Sequence, residues 1–168
     1  MYSQTKRNNK MAIIVPLIIL SLTKPMIGYA KTYNIDQEKI CLAKVIYHEA
    51  RGESDLGKKS VAKIVINRKQ HRKFPKTICQ VVNQVAYIGR KKVCQFSWVC
   101  AGYARQPNPT DERWVESREI AQRLADGEFP EYQAKYANAL FFHASAIRPV
   151  WAKTKKIVSR TGHHIFYE

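Results

Sequence analysis

The sequence is short of acid. Its 168 residues hold 13 aspartates and glutamates against 29 lysines and arginines, a formal net charge of +16. Such an excess favours a polyanionic partner: a cell-wall polymer, an anionic lipid surface or a nucleic acid. No recognised nucleic-acid-binding motif is present, which argues against the third. There is no G-x-S-x-G elbow, so serine-nucleophile chemistry lacks its usual frame. His48-Glu49 is not followed by a histidine at 52, so the tight histidine pair of a zinc protease is missing. Internal repeats and low-complexity linkers are also absent. The length suits one domain with a real core and is short for two. The uncharged apolar run Met11–Thr23 has 13 residues, and a membrane-spanning helix takes about 20.

That run fits an export signal instead. Lys6, Arg7 and Lys10 make a basic head in front of it, and Pro16 and Pro25 disfavour a spanning helix. Gly28 and Ala30 are small residues at −3 and −1 of a cut before Lys31. We therefore expect a signal peptide over 1–30 and a folded domain over 31–168. An uncleaved N-terminal anchor is the alternative. Removing Lys6, Arg7, Lys10 and Lys24 leaves 25 basic and 13 acidic residues, a net charge of +12 over the 138 residues from Lys31. The positive charge thus belongs to the folded part.

Four cysteines are present, Cys41, Cys79, Cys94 and Cys100. An even number behind a signal peptide suggests disulfides in an oxidising compartment. Their spacing matches no zinc pattern. Three pairings are possible. One of them closes a small loop around QFSWV with Cys94 and Cys100 and leaves Cys41 for Cys79. Buried free thiols are the alternative.

Periodicity predicts a helix over 34–50, with Leu42, Val45 and Ile46 as its apolar stripe. A second helix is expected over 57–70, with Val61, Ile64 and Val65 inside. A short third one is expected within 75–84, entered through Pro75. Residues 85–108 read as irregular. A fourth helix is expected after Asn108-Pro109, with Trp114, Val115, Arg118, Ala121 and Leu124 on one face and Gly127 at its end. Residues 136–168 hold short apolar runs that suit strands or buried loops. The fold class is a mostly helical α+β domain.

The stripe of the first helix continues 42, 45, 46, 49 and 53, which puts Glu49 on the apolar side and Glu53 one turn further on. A glutamate there is unusual, because burying its charge is costly. Partial burial raises its pKa, and a raised pKa is what a general acid needs. The plain alternative is a solvated or salt-bridged helix end, since Gly52 can stop the helix and Arg51 can pair with either acid.

The segment AKVIYHEARGESDLGKKSVAKIVINRKQHRKFPKTICQVV, followed in order by QFSW at 95–98, FFHA at 141–144, PVW at 149–151 and GHHIFY at 162–167, resembles the catalytic domain of the spore-cortex-lytic (SleB-like) cell wall hydrolases. The resemblance spans nearly all of the chain after residue 30, and its most specific piece is E-A-R-G-E followed by I-N-R and F-P. It implies a compact, mainly helical, lysozyme-like domain acting on peptidoglycan glycan strands. It implies that Glu49 is the catalytic acid and that the reaction is the one common in the family, lytic transglycosylation rather than hydrolysis. Family members in spores often carry a separate peptidoglycan-binding domain. A chain of this length is expected to rely on its basic surface instead, through attraction to anionic envelope polymers.

The remaining site candidates follow from residue chemistry. Glu53 is expected to tune Glu49 or bind sugar. Asn67 can bond substrate or orient Glu49, with a helix-end contact as the alternative; Arg68 is grouped with it. Ser97 and Trp98 can line a glycan groove or simply pack. His143 suits a buried hydrogen-bonded residue or a cleft contact, and Trp151 and Tyr167 suit core or groove wall. His143, His163 and His164 invite a metal site with Glu49, but the spacing argues against one. We expect no metal or cofactor, no nucleic-acid partner, a monomer, and a location in the periplasm, wall or medium. A two-carboxylate muramidase or glucosaminidase and a non-catalytic cationic wall-binding protein are the competing functions.

Overall fold

A computed structural model describes residues 27–101, 107–128 and 134–168, with side chains from Asp36 onward in the first helix. The basic head and apolar run of the expected signal peptide lie outside the described residues. Among the described residues no helix is long and apolar enough to cross a membrane.

Helix α1 runs Ile27–Ala50 and α2 runs Asp55–Gln70. Ser54 caps α2 by accepting from the Gly57 N–H at 3.3 Å, and Asp55 in the first turn pairs with Lys59. A cap of this kind satisfies a backbone donor that the helix leaves free, and it is typically worth ~1 kcal/mol. Helix α3 is short, Ile78–Val82. Its N-terminus is capped twice, by the Thr77 hydroxyl and by the Glu38 carboxylate of α1, which accepts from the Ile78 and Cys79 N–H groups at 2.6 and 3.2 Å. The Cys41–Cys79 disulfide fastens the same two helices, with Cα atoms 5.2 Å apart. Helix α5, Glu112–Ala125, packs across α1.

The apolar stripes meet where the sequence puts them. Val45, Ile46, Val61, Ile64 and Val65 are all 0% exposed, and Trp114, Leu124, Tyr136 and Phe166 close the core around them. Fully burying a side chain of that size contributes roughly 1.5–3 kcal/mol.

Three expectations need correction. Residues 85–94 are not irregular: Val85–Ile88 (β1) and Lys91–Cys94 (β2) form an antiparallel hairpin around Gly89, whose φ is +61°. A positive φ strains any residue with a Cβ, so glycine is the natural choice there. Second, α5 is capped by Asp111, which accepts from the Arg113 N–H at 2.9 Å, while Asn108 makes only a local turn with Thr110. The helix therefore begins three residues later than the Asn-Pro signal implies. Third, Arg118 lies on the solvent side of α5, and Ser117 and Ile120 take the inner positions beside Trp114, Ala121 and Leu124.

A short helix α4, Ser97–Cys100, follows the hairpin and is tied back to it by the Cys94–Cys100 disulfide. Of the three possible pairings, the one formed is therefore the small loop of Cys94 with Cys100 that leaves Cys41 for Cys79. The C-terminal part is a three-stranded antiparallel sheet of β3 (Phe141–Ala144), β4 (Ile157–Thr161) and β5 (His164–Tyr167), with β5 in the centre. Phe166 of its central strand reaches the helical core, while Phe142, His143 and His164 border a cleft shared with Glu49.

Candidate active site

The C-terminal turn of α1, the α4 loop and the β3–β5 sheet enclose a cleft of about 410 Å³. Glu49, Arg68, Ser97, His143, Trp151 and His164 are among its lining residues. Glu49 is the only acid lining it among the described residues. Its position follows from the helix period: Leu42, Val45 and Ile46 bury the stripe, and Glu49 sits where that stripe runs out into the opening.

Burial pushes the Glu49 carboxyl above the ordinary glutamate range. The Trp98 indole N–H lies close enough to oppose that rise. Their contact falls short of a good hydrogen bond, because Nε1 is buried without a partner. Trp98 stacks on His48 at 4.4 Å and packs near Phe96. It therefore backs the acid from the core side and does not form the groove wall. Burial, and the charges of Arg51 and Lys44, hold His48 below its usual pKa, so the ring beside Trp98 is neutral near pH 7.

Glu53 lives in a different world one turn away. It leaves the cleft and reaches the β4–β5 turn, where Oε2 accepts from the His163 N–H at 3.1 Å and Oε1 meets the His163 ring Nδ1 at 2.9 Å. Burial alone would raise its pKa, but the two His163 hydrogen bonds and the His164 and His163 charges outweigh it, and the net shift is downward. Gly57 and Gly162 make room for this carboxylate. A Cβ on Gly57 would come within 2.8 Å of the Glu53 Cβ, and one on Gly162, where φ is +55°, would overlap Glu53 Oε2. Glu53 therefore anchors the turn that presents His164. That ring lines the cleft, with Nδ1 buried and 3.8 Å from Glu53 Oε1. Burial lowers the His164 pKa, and the Glu53 charge partly restores it.

Asn67 does not face the cleft. Its amide donates to the Tyr136 and Ala139 carbonyls at 2.6 and 2.8 Å and clamps that segment to α2. Arg68, the next residue, does line the cleft. It is 3% exposed, donates through Nε to the Leu140 carbonyl at 2.8 Å and lies over the Phe74 and Phe141 rings. Burial lowers its pKa to about 10, so it stays charged at neutral pH, at a cost of about 3 kcal/mol. His143 is buried, with Nε2 2.8 Å from the Tyr167 hydroxyl and Nδ1 2.9 Å from the Ala144 carbonyl. Trp151 stands edge-on to both rings and is partly exposed, as a sugar-stacking wall would be.

Gln95 and Phe142 also line the cleft and were not singled out by sequence, and His164, considered there only as a metal ligand, lines it too. The one signal for them is their place inside the QFSW, FFHA and GHHIFY segments. A larger depression of about 470 Å³ lies elsewhere, lined by Glu38, Leu42, Lys69 and Leu124. Its glutamate already caps α3 and sits 3.5 Å from Lys69, so it has no free carboxyl chemistry. Among the described residues no group of three or more His, Cys, Asp or Glu is placed to hold a metal ion.

A helical domain with one half-buried glutamate facing a sheet-walled cleft has counterparts. The family model described as Cell Wall Hydrolase matches residues 52–167, and the chain belongs to that family. The match opens at Gly52, beyond Glu49 and before Glu53. Among curated proteins, the Spore cortex-lytic enzyme of Bacillus subtilis (strain 168) is 28% identical over 128 residues, which cover 76% of this chain. The chain spans only 36% of that relative's length. Among solved structures, the catalytic domain of the Bacillus cereus SleB protein has a TM-score of 0.57 and 26% identity, over 79% of this chain and 91% of the other. The catalytic domain of the germination-specific lytic transglycosylase SleB from Bacillus anthracis has the same TM-score at 24% identity, over 80% and 94%, and supports the likeness of fold.

Proposed function

We propose that the chain is an exported enzyme that cleaves the glycosidic bonds of peptidoglycan glycan strands as a lytic transglycosylase, with Glu49 as its acid and base. The observation that carries this reading is Glu49 itself: one acid with a raised pKa in a cleft whose described lining holds no other carboxylate.

Protonated Glu49 gives its proton to the glycosidic oxygen. The C1–O bond breaks, its electron pair goes to that oxygen, and positive charge develops at the muramic acid ring. The carboxylate left behind takes the proton of the same sugar's C6 hydroxyl, and O6 bonds to C1. The product is a 1,6-anhydro ring, and Glu49 ends protonated as it began. A hydrolase would need a second carboxyl, about 5–5.5 Å away for retention or about 6.5–9.5 Å for inversion. Glu53, the nearest candidate by sequence, is bound to the β4–β5 turn and held ionised. Trp151 and Phe142 offer ring faces to sugar, and Ser97 offers a hydroxyl.

The two disulfides suit an oxidising compartment outside the cytoplasm, in keeping with the expected signal peptide over 1–30. The net charge gives a long-range pull toward anionic wall polymer, which salt should weaken. The test uses purified peptidoglycan, the protein from Lys31 onward and its Glu49→Gln variant, with mass spectrometry of the released fragments. Anhydro-muropeptides from the wild type alone are expected. Reducing-end products would make the enzyme a hydrolase, and equal release by both proteins would remove Glu49 from its role.

A further inference from the structure

Arg68 is a cation in search of an anion. It is 3% exposed, and its one hydrogen bond is to a neutral carbonyl, that of Leu140. Nη1 is buried with no partner at all. Among the described residues no carboxylate pairs with it. A second cation shares its aromatic neighbour: Lys155 Nζ lies 3.8 Å from the centre of the Phe141 ring that Arg68 also covers. A buried charge left unpaired is strongly destabilising, so an anion that pairs with it gains what the fold leaves unmet. Arg68 borders the cleft that holds Glu49. The planar guanidinium suits one ligand class above others, a carboxylate received side-on by two N–H groups.

We propose that Arg68 is the anion-binding group of the cleft and pairs with a carboxylate on the sugar whose bond is cleaved. This rests on the glycan-cleaving reading above. Muramic acid carries a 3-O-lactyl arm, which gives two sources for that carboxylate. The arm's own carboxyl is free once the stem peptide has been removed by an amidase-class reaction. Otherwise the anion is a carboxylate of the attached peptide. Phe142 and Trp151 hold the ring faces, and Arg68 fixes the sugar's orientation through its acidic arm. Arg68 is in this sense a specificity residue. Glu49 remains the group that moves the proton.

The experiment uses soluble glycan oligosaccharides in three forms: peptide-bearing, stripped to the free lactyl acid, and stripped then methyl-esterified. The kcat/KM of each is measured with the wild type, Arg68→Lys and Arg68→Gln. The wild type should favour at least one acidic form over the ester by on the order of ten- to a hundredfold, the strength of a charge-assisted hydrogen bond. Whichever acid is preferred identifies the source. Arg68→Gln should cleave all three at similar rates, and Arg68→Lys should keep part of the preference. The ratio is read within each variant, so a loss of folded protein cannot mimic the result. A wild type indifferent to esterification overturns the proposal, as does a preference that survives in Arg68→Gln. If no form is cleaved by any protein, the glycan-cleaving reading fails instead. Calorimetric titration of the wild type with the same acid and ester then decides Arg68 by the same criterion.

Discussion

Glu49 and Glu53 stand four residues apart in the chain and in opposite electrostatic surroundings. Glu49 is half-buried at the mouth of a cleft with little to stabilise its charge, and its pKa rises. Glu53 has a side chain only 9% exposed, yet a backbone N–H and two imidazoles meet it, and its pKa falls. Burial is common to both. What separates them is whether donors were brought to the carboxylate, and that decides which one can carry a proton and which one holds the fold together.

The comparison breaks most visibly at Glu49. Glu49→Gln should lower the rate of glycan cleavage by about a thousandfold or more, within the range that general acid–base catalysis supplies. Its thermal unfolding midpoint should stay level or rise. Glu53→Gln should do the reverse. Losing a buried, multiply bonded carboxylate should cost about 2–4 kcal/mol in denaturant unfolding. Gly162→Ala should cost about 1–3 kcal/mol through the same turn, because its φ is positive and its Cβ would meet Glu53. In both variants the activity of the molecules that remain folded should fall less than in Glu49→Gln.

A smaller effect is expected at the cleft's other wall. The Cys94–Cys100 bridge ties down the segment holding Gln95, Phe96 and Ser97, all of which line the cleft. Replacing both cysteines by serine should lower stability by about 1–3 kcal/mol. It should also raise KM several-fold while kcat changes little, as steady-state kinetics would show.

The smallest effect is the response to pH. The folded pKa of Glu53 lies below its unfolded value, so its contribution to stability is present above the unfolded pKa and is lost as pH falls through the folded one. Glu49 has the opposite sign: its folded pKa is raised, and stability declines as pH climbs from its unfolded to its folded pKa. Activity should fall as pH rises through the folded pKa, because the acid form is consumed there. Unfolding measured across pH should therefore lose its acid-side drop in Glu53→Gln and its mild loss toward neutrality in Glu49→Gln.

Much of this was legible in the chain. The stripe of Leu42, Val45 and Ile46 is local information, and it placed Glu49 without any tertiary contact. The covalent pairing of the cysteines was among few possibilities. The rest needed the fold. Glu53 meets His163 across 110 residues, and nothing in EARGES points to GHHIFY. Asn67 reads as a polar group available to substrate, yet both of its amide protons go to backbone carbonyls about seventy residues away. The hairpin at 85–94 escaped because its strands are four residues each and mostly exposed, so they show no clean alternation, and its turn carries one glycine and no Asn-Gly or Asp-Gly pair. At α5, Asn108-Pro109 looked like the stronger start, but Asp111 also accepts from the Tyr47 hydroxyl at 2.7 Å, and that tertiary bond fixes the cap.

The central claim is that these two neighbouring carboxyls have been driven apart in acidity. Carboxyl-carbon NMR of the folded protein, labelled at glutamate and titrated with acid, measures it directly, with Glu49→Gln and Glu53→Gln used to assign the two signals. The account predicts that the Glu49 carboxyl titrates above the ordinary glutamate range and Glu53 below it. Glu49 titrating at or below the ordinary range, or the two in the reverse order, would contradict it.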